Sequence, residues 1–250
     1  MTGADAPRDA LRNQRGAVLL LLLLSVVVGI SYALLNGLRH GRQERAQETA
    51  AVLAQAKEGL TGAAVTDSAM PGSLPCPDTN DDGLAEALSA GACPSYLGRL
   101  PWRTLGLPDL TDSSGERLWY ALSPSFRKAL AAQPITSATQ GMITLRDSTG
   151  AIVNLGSATS AAVAVVIAPG PALLRQDGTV QNRTPANRNT PIHYLDNGNG
   201  EDNASFAAGT ADGFIQGGIV NGATGQTVAN DRLLGLSHAA FFSVVGKIVP

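Results

Sequence analysis

The feature that most constrains this 250-residue chain is the run AVLLLLLLSVVVGISYALL, nineteen residues from Ala17 to Leu35 without a charge. A helix rises about 1.5 Å per residue, so roughly 20 apolar residues span the hydrocarbon of a bilayer. The run is apolar on every side and has no polar stripe, which excludes a helix burying one face in a soluble core. It is a membrane or export element. Arg8, Arg12 and Arg15 precede it, and Ser31-Tyr32-Ala33 offers the small residues of a secretory cleavage site. Against simple secretion, the run exceeds the usual signal core of about 7–15 residues. The helical pattern also continues past it. Apolar or small residues at Leu38, Ala46, Ala50, Leu53 and Leu60 recur on helical steps, with Arg42, Arg45, Glu48 and Glu58 between them. No proline falls between Ala10 and Met70, and Gly59 and Gly62 predict the stop. One helix of about forty residues is expected, half in lipid and half outside. Three arginines on each side of the run leave its orientation open.

The remainder is about one domain's worth of chain. Aromatic residues make up only 4% while Ala, Gly, Ser and Thr abound, so its core must be built from small side chains. The 18 basic and 20 acidic residues form no polycationic chain, and nucleic acid is not an expected partner. Up to Lys57 there are seven Lys/Arg against four Asp/Glu, and beyond it eleven against sixteen. That asymmetry suits a basic root beside a membrane and an acidic body.

A short Arg-containing leader ending in Gly16, then a long apolar helix with an Ala-rich amphipathic extension, resembles the type IV prepilins and type II secretion pseudopilins. The resemblance implies that an inner-membrane prepilin peptidase cuts after Gly16 and N-methylates Ala17. It implies a cytoplasmic leader over 1–16, a transmembrane helix over 17–35, a helical extension over 36–60 and a periplasmic body over 61–250. Two positions depart from the family pattern. The mature chain usually begins with Phe, where this one has Ala17, and its fifth residue is usually Glu, where this one has Leu21. A carboxylate in the membrane costs several kcal/mol unless partnered, so Leu21 eases residence there. It also removes the group that docks one subunit behind another, and in the family the minor subunit lacking that Glu sits at the filament tip. A second block, from Leu74 to about Ser123, resembles a branch of prepilin-like proteins: GSLPCPDTNDDGLAE, CPSYLGRLPWRTLGLP and DSSGERLWYALS. Within it Asp112, Gly115 and Tyr120 match the Asp-x-x-Gly-x-x-x-x-Tyr segment that opens a strand after the helix. The ending NDRLLGLSHAAFFSVVGKIV is a fainter match.

Given the periplasmic location that the resemblance implies, Cys76 and Cys93 are expected to be bridged, contributing about 3 kcal/mol by loop-closure entropy. Their spacing suits no zinc site, because no second Cys or His pair lies nearby. Inside this loop Asp78, Asn80 and Asp82 alternate ahead of Gly83, like the opening of an EF-hand loop. The twelfth position is Ser89 and not Glu, and Glu86 comes three residues early. Two readings stand: calcium held by Asp78, Asn80, Asp82 and Glu86, or an acidic turn closed by Asx hydrogen bonds. A second acidic stretch with Asp196, Glu201 and Asp202 reads as a flexible loop, with metal binding as the alternative.

The fold class expected is α+β: a long N-terminal helix followed by a pilin-like globular body with an antiparallel sheet. Ser123-Pro124 predicts a helix start, running to about Ala132. GMITLRDSTGAIVNLG predicts a hairpin with Ser148–Gly150 at its tip. AAVAVVIAPG is a continuous β-branched run, hence a central strand buried on both faces. The Gly- and Asn-rich stretch 169–227 reads as a long irregular insertion with short strands. DRLLGLS predicts a last strand, and Ser237 a cap for a final helix holding Phe241, Phe242 and Val245.

Ser125 and Lys128 form an isolated Ser-x-x-Lys without companion motifs. His40, His193 and His238 are scattered, and no phosphate-cradling Gly loop is present. Trp102 and Trp119 read as core anchors. The expectation is therefore a non-enzymatic, membrane-tethered minor subunit, whose partners are the inner membrane, the prepilin peptidase and other pilin or pseudopilin subunits. Its rivals are an unprocessed single-pass periplasmic ligand-binding protein and an exported serine hydrolase.

Overall fold

The computed structural model describes residues 8–128, 134–155, 161–206 and 212–249, with the side chains of the first helix from Val18 onward. The chain forms two compact units that divide after Gln47. The first helix, α1, runs Arg8–Thr66. From Val18 it holds the one described helix long and apolar enough to cross a membrane, and none of that apolar window is buried. In the second unit, Thr49, Leu53, Ala56, Leu60 and Ala64 are buried, on steps of four, three, four and four. Such spacing puts them on one face. The expected stripe is half right. Leu53 and Leu60 lie on it, but Ala50 is exposed and Ala56 and Ala64 take the face instead.

Nor do Gly59 and Gly62 stop the helix. A helical glycine costs about 1 kcal/mol relative to Ala, too little to end a helix whose face is buried. A Cβ at Gly59 would lie 2.6 Å from Leu107 Cδ1, so this glycine admits a neighbouring side chain. The chain leaves the helix at Asp67, whose Oδ1 accepts the N–H groups of Ala69 and Met70 at 3.0 Å each.

Among the described residues ten strands follow: β1 Leu97–Arg99, β2 Trp119–Leu122, β3 Ile143–Arg146, β4 Ala161–Ala168, β5 Asn197–Gly198, β6 Glu201–Asp202, β7 Asp212–Ile215, β8 Ile219–Val220, β9 Thr227–Ala229 and β10 Arg232–Ser237. The main sheet has the order β1-β2-β4-β3-β7, and β10 pairs with β4. It is antiparallel except for the parallel β3–β7 pair. All eight residues of β4 are buried, as its apolar run predicts. Alternation in β2 divides the core. Tyr120 and Leu122 join Leu53, Leu60, Phe126 and Phe241 on one face, whereas Trp119 and Ala121 join Tyr194, Leu195 and Phe214 on the other. Helices cover the first face. The Gly- and Asn-rich insertion covers the second, and β7 within it adds a strand to the sheet, which its composition did not predict.

The turn expected at Ser148–Gly150 forms and Val153 N–H donates to Leu145 O at 2.8 Å, but the return arm makes only the isolated bridge Arg146–Ile152 and no strand. The final helix, α2 His238–Val245, is capped by Ser237 Oγ, which accepts the Ala240 N–H. The helix predicted from Ser123 is corrected. Pro124–Phe126 makes one 3-10 turn, after which Arg127 is extended, with φ −63° and ψ 157°. Its neighbour across an isolated bridge is Leu74, whose N–H donates to Phe126 O at 2.8 Å. Residues 129–133 lie outside the described ones.

The two helical glycines give a paired expectation. A Cβ at Gly62 meets nothing within 4 Å, so Gly62→Ala is expected to raise stability by up to about 1 kcal/mol. Gly59→Ala must displace Leu107 and should gain less or lose. Urea unfolding of both variants tests this, and equal gains would contradict the packing assigned to Leu107.

Candidate functional site

Gly16 and Ala17 lie within α1, but their side chains fall outside the described ones. Leu21 is 64% exposed, in a row of exposed apolar residues that continues to Leu38. An exposed apolar surface of this extent is unfavourable in water.

Cys76 and Cys93 are joined in a disulfide across 17 residues of sequence, with Cα atoms 5.5 Å apart. Inside this loop Asp78 is buried and its carboxylate closes a turn. Oδ1 accepts the N–H groups of Asn80 at 3.0 Å and Asp81 at 2.7 Å, while Oδ2 accepts that of Gly83 at 2.7 Å. Burial pushes the Asp78 carboxyl up, against the pull of these donors. Asn80 Oδ1 accepts from Asp82 N, and Asp82 Oδ1 from Leu84 N. Glu86 Oε1 accepts from Thr79 N and Thr79 Oγ1. The four residues therefore form Asx turns and side-chain staples, and among the described residues no group of three or more His, Cys, Asp or Glu is placed to hold a metal. Of the two readings of this stretch, the acidic turn closed by Asx hydrogen bonds is the arrangement these contacts form. Gly83 has φ +82° and would drive a Cβ to 2.6 Å from Trp102 Nε1, so both its conformation and its contact require glycine.

The Asp112–Gly115–Tyr120 segment is a clamp. Asp112 Oδ1 accepts from Ser114 N at 2.8 Å and Glu116 N at 3.1 Å, and Oδ2 accepts from Gly170 N at 2.7 Å. Ser113 N–H donates to Thr49 Oγ1 of α1 at 3.2 Å. Tyr120 opens toward the disulfide loop and donates its hydroxyl to Pro75 O at 3.2 Å. The motif thus ties the helix, β2 and the start of the insertion together.

On the opposite face Arg99 is sandwiched between Trp119 and Tyr194, its guanidinium carbon 4.2 Å and 4.1 Å from the ring centroids. It donates to Arg117 O at 3.0 Å and Arg188 O at 2.6 Å. Burial depresses its basicity. Trp119 is the expected core anchor, at 1% exposure.

The second acidic stretch is not a loose loop. β5 and β6 form a hairpin. Glu201 pairs with Arg146 at 2.6 Å, Asp202 pairs with the buried Arg175, and Asp196 is buried beside Asp231. Asp231, Gln181 and Asn203 join that polar centre. They carried no sequence signal, being lone residues up to about fifty positions apart that meet only in the fold.

Ser125 Oγ donates to Gln140 O at 2.6 Å, and Lys128 Nζ donates to Asp67 Oδ2 at 2.8 Å. The Ser-x-x-Lys pair is thus engaged by separate partners. His193 Nδ1 accepts from Asn182 N at 3.3 Å, and His238 Nε2 lies 3.1 Å from Ser137 O. A groove of about 820 Å³ is lined by Gly62, Ala63 and Thr66 of α1, by Leu74 and Cys76, and by Leu88.

Asp78→Ala strands three N–H donors and is expected to cost at least about 2 kcal/mol, whereas a chelator should leave the melting temperature unmoved. A chelator-sensitive melt would reinstate the cation. Reducing the disulfide should cost about 3 kcal/mol, read by denaturant unfolding with and without reductant.

Comparison with protein-family models, curated proteins and solved structures gives no significant match to this chain, so function is argued from its residues alone.

Proposed function

We propose that this chain is a membrane-tethered, pilin-like minor subunit of a type IV pilus or type II secretion pseudopilus, acting in assembly without chemistry of its own. One observation carries the reading. The helix that supplies the membrane-length apolar run also supplies, from Thr49 to Ala64, one wall of the body's core. A body built on its own anchor in this way suits a subunit whose helix packs among other apolar helices while the α+β part is displayed outside. The disulfide suits an oxidising compartment, and hence a periplasmic body behind a cytoplasmic leader. The chain then sits in the bacterial inner membrane as a single pass, with the prepilin peptidase and other pilin or pseudopilin subunits as its partners.

Leu21 in place of the family's Glu gives the subunit no carboxylate with which to neutralise a neighbour's N-terminal amine. It therefore suits the initiating or tip position more than the filament body. The groove between α1 and the disulfide loop favours a second reading, an unprocessed single-pass protein whose body binds a ligand.

Mass spectrometry of the N-terminus, from cells making the prepilin peptidase, separates these readings. N-methylated Ala17 is expected, and Gly16→Trp should abolish the cut and leave the leader attached. A wild-type chain still beginning at Met1 would support the unprocessed anchor, and one beginning at Leu34 ordinary secretion. Either result removes the pilin-like reading.

A further inference from the structure

Asp196 and Asp231 are both 0% exposed, and they lie 35 positions apart at the junction of the insertion with β10. Among the described residues, the groups hydrogen-bonded to their carboxyl oxygens are N–H donors. Asp196 Oδ2 accepts the N–H groups of Asn230 and Asp231, the latter at 2.9 Å, and Asp196 Oδ1 accepts from Gln181 Nε2 at 2.8 Å. Asp231 Oδ2 accepts the Asp196 N–H and Asn203 Nδ2, each at 2.8 Å. The two amides cannot turn round. Gln181 Oε1 is held by Leu173 N and Arg183 Nη2, and Asn203 Oδ1 by Ile215 N. One carboxyl oxygen is left over: Asp231 Oδ1 is buried without a donor. The two residues are cross-linked, each carboxyl accepting the other residue's backbone N–H, and a proton on Asp231 Oδ1 would turn the one unpartnered oxygen of the pair into a donor.

We propose that Asp196 and Asp231 share one proton, carried on Asp231 Oδ1, and that this proton latches the insertion to β10 until rising pH removes it.

The surroundings favour the singly charged pair. Arg183 reaches it only through Gln181, and is itself engaged by Glu116 at 3.2 Å and stacked on Tyr194. Asp202 is neutralised by Arg175, and Arg232, next along the strand, faces outward and is exposed. Asn203, Gln216 and Asn230 are uncharged. Burial and the neighbouring Asp196 charge together hold the Asp231 carboxyl well above the usual carboxylate range, and burial raises Asp196 as well. A second charge here would stand beside the first in a fully buried site.

The folded chain therefore keeps a proton that an unfolded Asp releases near pH 3.9. Its stabilising effect is complete below that pH and is lost as pH rises through the raised folded value. Leu195, next to Asp196, lies in the core beneath the insertion, and Asn203 also donates to Ile215 O of β7 at 2.8 Å. Losing the proton thus loosens the sheet's second cover.

The test uses the full chain in detergent, melted at a series of values from about pH 5 to about pH 9. The wild-type midpoint should fall by several degrees on the alkaline side. Asp231→Asn supplies a permanent N–H donor to Asp196 and keeps an oxygen for the two donors, so its midpoint should not show that fall. Asp196→Asn turns an amide NH₂ toward existing donors and should melt lower at every pH. Infrared spectra of the wild type near pH 7 should carry the C=O band of a protonated carboxyl, which disappears on alkalinisation. That measurement decides even if neither variant folds. A wild type lacking the band near neutrality, or one whose midpoint tracks that of Asp231→Asn across the range, overturns the proposal.

Discussion

The body depends on β4. Its eight residues, Ala161 to Ala168, are all buried and it pairs with β2, β3 and β10, so apolar side chains leave both faces of the sheet. A strand of this kind is stable only when each face is covered. Four of the eight residues are Ala, which lets the covering elements approach closely but supplies little area of its own. The large side chains come from elsewhere: Phe126, Phe241 and Leu60 on one face, and Trp119, Tyr194 and Phe214 on the other.

The two covers are built by different physics. On the helical face α1 and α2 present regular apolar stripes, and Phe126 meets Phe241 edge-on with centroids 5.5 Å apart. The insertion has no such periodicity and few large apolar residues. It is fastened by buried polar groups: Asp112 on Gly170 N–H, Arg99 between two aromatic rings, and the Asp196–Asp231 centre. Such networks fix one geometry when satisfied and are costly wherever a group goes unpaired. Nε of Arg99 is one buried group left without a partner, so the attachment is specific more than it is strong.

Much of the fold was legible from local pattern. The uncharged run, the apolar β4 segment, the Ser237 cap and the turn at Ser148–Gly150 each carry a signal within a few residues. Signals that depend on what sits opposite were not readable. Gly59 looked like a helix stop because its sequence neighbours do not reveal Leu107, which occupies the space its missing Cβ leaves. Asp78, Asn80 and Asp82 had the spacing of cation ligands, but spacing does not say whether an oxygen faces an ion or an N–H. Ser123-Pro124 carried a sound helix start, yet Leu74 captures Phe126 O and the chain leaves after a single turn.

The sequence by itself determined a membrane-length apolar helix and an α+β body with one fully buried strand, because each rests on composition or periodicity within one segment. Only the tertiary structure decided that the Gly- and Asn-rich insertion is the second wall of the core, that β7 joins the sheet in parallel, and that Asp196 and Asp231 meet in its interior. Those outcomes rest on contacts between residues tens of positions apart, whose energies come from desolvation and donor geometry that no local pattern records.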